Sequence, residues 1–155
     1  MTYAIISTEE EKDFICKNEF EPPYTEIKTK LREKIWQLYC CGYNKFWLNC
    51  EYGIPLWSAE IIIALKMYND ITLNVAMPYE EQSTNWSEDI RNRFFHIHEY
   101  ADRVCIVSNH YTPICYECTD KFMIENSDIL LLVGKPDFNK LEKHYHEYKI
   151  EKLFL

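Results

Sequence analysis

Runs of consecutive apolar residues alternate along the chain with segments whose apolar residues recur every three to four positions, and these two periods separate strands from helices. Tyr3–Ser7 (YAIIS) reads as a first buried strand, and it runs into STEEEKDF, where Ser7 or Thr8 is placed to cap a short helix with Glu10 or Glu11 returning the hydrogen bond. After the breaker EFEPPY, a helix starts at Thr25 with Ile27, Leu31, Ile35 and Leu38 on one face, and Gly42 stands at its C-cap. KFWLN is the second strand. Pro55 suits the first turn of a helix running to about Tyr68, and ITLNVAM alternates as a third strand from Ile71 to Met77. The loop PYEEQSTNW follows. Ser87 then caps a helix with Ile90, Phe94, Ile97 and Ala101 inward, before RVCIVS as the fourth strand. A helix around Tyr116–Asn126, the strand DILLLV, then NKLEKHYHEY and EKLFL complete the pattern.

Six short apolar strands alternating with helices predict an α/β fold. The expected form is a three-layer, Rossmann-like arrangement with a mostly parallel sheet covered on both faces. The whole chain, 1–155, reads as one domain without repeat, linker or low-complexity segment. At this length folding buries roughly 70% of the surface an extended chain exposes, so no metal or disulfide is required for stability. In open sheets of this class ligands sit outside the carboxyl ends of the strands, near the point where strand order reverses. The loops that follow the strands are therefore where function is sought.

Composition narrows the classes. A net charge of −8, with lysines and arginines scattered, opposes binding to nucleic acid or to anionic lipid. The longest apolar runs fall far short of the ~20 residues that span a bilayer. The first residues are acidic where a signal peptide would be basic, so the expected location is the cytoplasm. Seven cysteines, an odd number spread over predicted helices, strands and turns, argue for reduced thiols.

Four loops carry candidate chemistry, beginning with NCEYGIPLWSAE after the second strand. There Gly53 can adopt a turn closed to other residues just before a helix N-terminus, which is a usable anion site. Gly53, Trp57 and Glu60 share one side of that helix, either lining a cleft or forming an ordinary corner with Trp57 in the core. After the third strand, Pro78, Tyr79, Gln82 and Trp86 offer stacking and hydrogen bonding to a base or ribose, unless Trp86 plugs the core. After the fourth, Ser108, Asn109, His110, Tyr111 and Thr112 cluster, and His110 is a candidate general acid or base with no nucleophile or carboxylate beside it in sequence. Cys115 and Cys118 form a solitary C-x-x-C, Cys40 and Cys41 are adjacent, and His96/His98 and His144/His146 lie two apart, so no metal site is expected. Three glycines cannot build a G-x-G-x-x-G or Walker loop.

In order, LNCEYGIPLWSAE, AMPYEEQSTNW and YTPICYECTDKFMIENSDILLLVG resemble the YpsA-like branch of the SLOG superfamily, a likeness running from about Lys45 to Gly134. The resemblance implies a Rossmann-like sheet and a pocket for a nucleotide or nucleotide-derived ligand, often in a protein that dimerises. By position it implies pocket residues Asn49, Gly53, Trp57, Glu60, Pro78, Gln82, Ser108 and Tyr111. The chain departs from the family pattern where anions would bind. STEEEKD replaces a glycine-containing first loop, Asn49-Cys50 a Ser-Gly, Thr119-Asp120 an Arg-Asn pair, and Gly134 followed by KPDFNK a glycine-rich turn.

The expected function is thus a cytoplasmic binder or sensor of a nucleotide-like small molecule with an eroded phosphate site, needing no cofactor and forming a homodimer or higher homo-oligomer. Two alternatives stand beside it. One is hydrolysis of a nucleotide N-glycosidic bond, with Glu60 as the acid and His110 a further candidate, although the LOG-type PGGxGTxxE signature is absent. The other is a protein-interaction module that has lost ligand binding.

Overall fold

A computed structural model describes residues 1–7, 18–134 and 143–155. Its elements run β1 (Thr2–Ser7), α1 (Tyr24–Cys40), β2 (Lys45–Leu48), α2 (Ile54–Lys66), β3 (Thr72–Tyr79), α3 (Glu88–Tyr100), β4 (Arg103–Ser108), α4 (Cys115–Glu125), β5 (Ile129–Gly134) and β6 (Ile150–Phe154). The capped helix expected after β1 falls outside the described residues.

The strands form one sheet in the order β4-β3-β2-β1-β5-β6, and every adjacent pair is parallel. The α/β, three-layer, Rossmann-like expectation therefore holds. Because parallel crossovers are right-handed, the direction in which each one steps decides the face its helix covers. β1 to β4 step one way, so α1, α2 and α3 share a face. β4 to β5 steps back, and α4 lies on the other. Side-chain alternation agrees: Tyr3, Ile5, Phe46, Leu48, Leu73, Val75, Leu131 and Val133 join Leu31, Ile35, Trp57, Ile62, Phe94 and Ile97 in one core. Ala4, Ile6, Trp47, Ala76, Leu130 and Leu132 join Met123, Ile124 and Tyr145 in the second. In β1, β2, β3 and β5 both faces are buried, which is why those strands read as apolar runs, whereas the edge strands β4 and β6 have no buried residue.

Element ends follow local chemistry. At the C-terminus of α1 the Tyr43 amide bonds the Leu38 carbonyl at 3.0 Å and the Gly42 amide bonds that of Tyr39 at 2.9 Å. Gly42, with φ +90°, supplies the left-handed residue this Schellman closure requires. Ser87 caps α3 by accepting from the Ile90 amide. β3 runs two residues past its expected end, so Pro78 and Tyr79 belong to the strand and not to the loop. The reason is pairing: β2 ends at Leu48 opposite Val75, so Pro78 sits where β3 has lost that neighbour and its missing N–H breaks no ladder on that side.

Candidate functional site

The parallel sheet brings the carboxyl ends of all its strands to one edge. Strand order reverses between β1 and β5, and the residues after both, 8–17 and 135–142, lie outside the described ones. The loops after β2, β3 and β4 form the described rim.

After Leu48 the chain turns through Asn49, Cys50, Glu51, Tyr52 and Gly53 into α2. The Asn49 Oδ1 accepts from the Glu51 amide at 3.0 Å, a local bond that fixes the start of the turn. Cys50 has φ 55°, a left-handed backbone rare for a residue with a Cβ, and is fully buried. Where the resemblance to the YpsA-like branch implies glycine, this chain has the left-handed bend with a thiol inside it. Gly53 has φ 102° and ψ −136°. Behind it the Leu56 amide bonds the Glu51 carbonyl at 3.0 Å and the Trp57 amide bonds the Gly53 carbonyl at 2.9 Å.

Two polar clusters flank this turn. The first gathers around the Glu51 carboxylate. Gln82, only 3% exposed, donates from Nε2 to the Asn49 carbonyl at 3.2 Å and to Glu51 Oε2 at 2.8 Å. The Tyr116 hydroxyl, from the first turn of α4, donates to the same Oε2 at 2.8 Å. Burial first, then the neighbouring Glu51 charge, push the Tyr116 phenol far above its ordinary value, so it remains a donor. Tyr79 meets Tyr111 and Tyr116 edge-on, with ring centroids 5.4 and 6.4 Å apart. Ser108 lies in register with Tyr79 across the β3–β4 pair.

The second cluster is on the α1–α3 side. Arg93 holds Glu60 through Nε to Oε1 at 2.7 Å and Nη2 to Oε2 at 2.8 Å, and it also pairs with Glu19, which Lys28 contacts at 2.8 Å. Burial alone would raise the Glu19 pKa, but hydrogen bonds from Arg93 and Lys28 outweigh it and hold the carboxyl below its ordinary value. Trp57 is 1% exposed, edge-on to Tyr24 and Tyr52, with Lys28 over its ring.

Of the residues expected to line a pocket, Asn49, Gln82 and Tyr111 come together, joined by Glu51, Tyr79 and Tyr116. Pro78 and Ser108 lie at the adjoining strand ends, and Gly53 two residues beyond Glu51. Trp57 and Glu60 do face the same way, but into the core and the Arg93 pair. Trp86 packs edge-on to Phe94 at 5.2 Å. His110 does have a carboxylate partner, supplied by the neighbouring loop: its Nδ1 is 3.1 Å from Glu81 Oε1, with the two side chains 80% and 50% exposed. Among the described residues no three His, Cys, Asp or Glu side chains converge as metal ligands. No described helix is long and apolar enough to cross a membrane.

Glu51 and Tyr116 were not distinguishable in sequence as site residues. They lie 65 positions apart, and a glutamate in a turn reads as solvated. The one available signal was the turn's place at a strand's carboxyl end.

Comparison with known proteins agrees with this architecture. The YpsA family model, described as the YspA SLOG family, matches residues 10–153. A UPF0398 protein of Staphylococcus saprophyticus is 32% identical over 133 residues, covering 84% of this chain and 71% of that protein. A UPF0398 protein of Staphylococcus aureus strain JH9 is 29% identical over the same extent of each. With a family model spanning nearly the whole sequence and strand ends that place its motifs on one sheet edge, the chain belongs to the YpsA family of SLOG proteins.

Proposed function

We propose that the protein binds a nucleotide-derived small molecule at the rim formed by the loops after β2, β3 and β4. The observation that carries this reading is the Glu51 carboxylate, held by Gln82 and Tyr116, with Tyr116 edge-on to Tyr79 and Tyr79 edge-on to Tyr111. A fixed carboxylate at a strand's carboxyl end is the group that takes ribose hydroxyls in Rossmann-like sheets. Tyrosine rings beside it give a base a face to stack on without basic charge. Family membership supports a small-molecule crevice at this edge. Glu60 is engaged by two nitrogens of Arg93, an arrangement suited to holding α2 and α3 together and not to donating a proton, so the reading is of a binder or sensor. The same proposal places the protein in the cytoplasm as a homo-oligomer, which light scattering of the purified protein tests.

Thermal unfolding is followed with a panel of nucleosides, nucleotides and dinucleotides, and at least one is expected to raise the midpoint. A ligand at one hundred times its Kd adds about 2.7 kcal/mol, which is about 5–11 °C for a domain of this size. Tyr111→Ala should abolish the shift while leaving the unliganded midpoint in place. No shift with any compound would refute the proposal.

A further inference from the structure

We infer that two copies of this chain associate through the free edge of β4, their β4 strands pairing antiparallel about a two-fold axis so that one sheet runs through both. This rests on the homo-oligomeric part of the reading above, deepens it by naming the surface, and is independent of the ligand.

β4 ends the sheet. Among the described strands it pairs with β3 alone, so the backbone N–H and C=O groups of alternate residues along Arg103–Ser108 point outward. None of its residues is buried, and Val104 and Ile106 are 40% and 49% exposed. Native sheets guard such an edge with charged side chains, proline or a bulge. The opposite edge has that protection, since β6 carries Glu151 and Lys152 within the strand. β4 lacks it. Its one charged residue, Arg103, lies over the Trp47 ring with its guanidinium carbon 5.8 Å from the centroid, two strands inward, and is thereby drawn off the edge. From Val104 to Tyr116 the chain has no Lys, Arg, Asp or Glu, and no uncharged run in it is longer. An unguarded apolar edge is a ready template for another strand.

Two features select a second copy over a foreign strand. The first is charge. A net charge of −8 repels another copy over most of the surface, whereas the β4 edge presents no charge to it. A basic partner would be drawn to the acidic surface elsewhere.

The second feature is self-complementarity. A two-fold axis perpendicular to the sheet brings together residues from the same face of each copy. Val104 and Ile106 share the α1–α3 face, because they lie in register with Val75 and Met77 of that core. With Cys105 on the axis, Val104 of each copy stands opposite Ile106 of the other. All four apolar side chains then meet, with opposed Cβ atoms about 4.5–5.5 Å apart. Moving the axis to Val104 would oppose Ile106 to Asp102, and moving it to Ile106 would oppose Val104 to Ser108. The apolar pattern of the strand thus fits its own copy in one register.

The test is sedimentation equilibrium of the full chain, which is expected to be a dimer at micromolar concentration. Val104→Lys and Ile106→Glu, both at exposed positions, should each be monomeric and folded by circular dichroism. Tyr68→Lys, at a residue 87% exposed beyond the end of α2, should remain dimeric. Mixed in equal amounts, the Val104→Lys and Ile106→Glu chains should re-form a dimer, because this register opposes the new ammonium to the new carboxylate and keeps one apolar pair. A monomeric wild type leaves the edge to a foreign strand and overturns both this inference and the homo-oligomer proposed above, with ligand binding untouched. A dimer that neither substitution dissociates, or a mixture that stays monomeric, overturns this inference alone. Should a variant not fold, hydrogen exchange of the wild type decides. The outward amides of β4 should exchange at least about tenfold more slowly in the dimer than after dilution to monomer, and equal rates overturn the pairing.

Discussion

Replacing Arg93 by methionine removes the cation that ties the 18–23 segment, α2 and α3 together. The guanidinium contacts Glu60 through two nitrogens and Glu19 through two further contacts, and the side chains of Arg93, Glu60 and Glu19 are 19%, 34% and 11% exposed. Breaking a fully buried pair by deleting one partner costs about 3–5 kcal/mol, whereas an exposed pair is worth about 0.2–1 kcal/mol. Glu19 is nearly covered and Glu60 is not, so the cost at neutral pH falls between these limits, at about 2–3 kcal/mol. For a domain of this size that lowers the melting midpoint by about 4–12 °C. The pH dependence gives a second signature. The folded pKa of Glu19 lies below the ordinary 4.5, so its contribution is present above that value and fades as pH falls through the folded pKa. The gap between wild type and Arg93→Met should therefore be widest near neutrality and narrow below about pH 4.5, as Glu19 takes up its proton. Urea unfolding across this range measures it. A gap under about 0.5 kcal/mol at neutral pH, or one that persists unchanged into strong acid, would refute the reasoning.

Asp120 should behave in the opposite sense. Burial, with a smaller contribution from Glu117, pushes its pKa up to about 7, so stability is lost as pH rises from the unfolded value of 3.8 toward 7. Asp120→Asn should then stabilise the protein by about 1–3 kcal/mol near pH 7.5 and have little effect near pH 4, as read from urea midpoints. Gly53→Ala should cost about 1–3 kcal/mol in the same assay, because φ 102° with ψ −136° is open only to glycine. In thiol labelling followed by mass spectrometry, exposed Cys40 and Cys41 should react in the native protein. Buried Cys50 and Cys115 should react only on unfolding, and burial also pushes the Cys50 thiol up, leaving little thiolate.

The fold was legible because its elements are locally consistent. Strands β1 to β5 each contain an apolar run, and α1, α2 and α3 have a recognisable start or stop: Gly42 after α1, Pro55 in the first turn of α2 and Ser87 before α3. The periods of two and 3.6 then suffice. The site was legible only by position. Helical spacing shows that Gly53, Trp57 and Glu60 share a side of α2, but it cannot say which neighbour that side meets. The partners that decide it, Arg93 from α3 and Tyr24 from α1, are set by tertiary packing. Gln82 was legible as a polar residue in the loop after β3. Its reach across to Asn49 and Glu51, 33 and 31 positions away, follows from the β2–β3 pairing, which no local pattern encodes.

The Asn49–Gly53 turn separates two properties that a glycine-rich anion loop combines. In such a loop glycine permits both the left-handed bend and the close approach of a phosphate to the backbone. Here Cys50 adopts φ 55° despite its Cβ, at a cost of about 1–2 kcal/mol. The Asn49 side chain, the Leu56–Glu51 backbone bond and complete burial of the thiol hold it there. The bend is kept, while the space glycine would leave is filled and the residue after it is a carboxylate. Shape and charge are thus specified by different atoms of the same five residues: the backbone of Cys50 and Gly53 sets the bend, and the side chain of Glu51, held by Gln82 and Tyr116, sets the charge beside it.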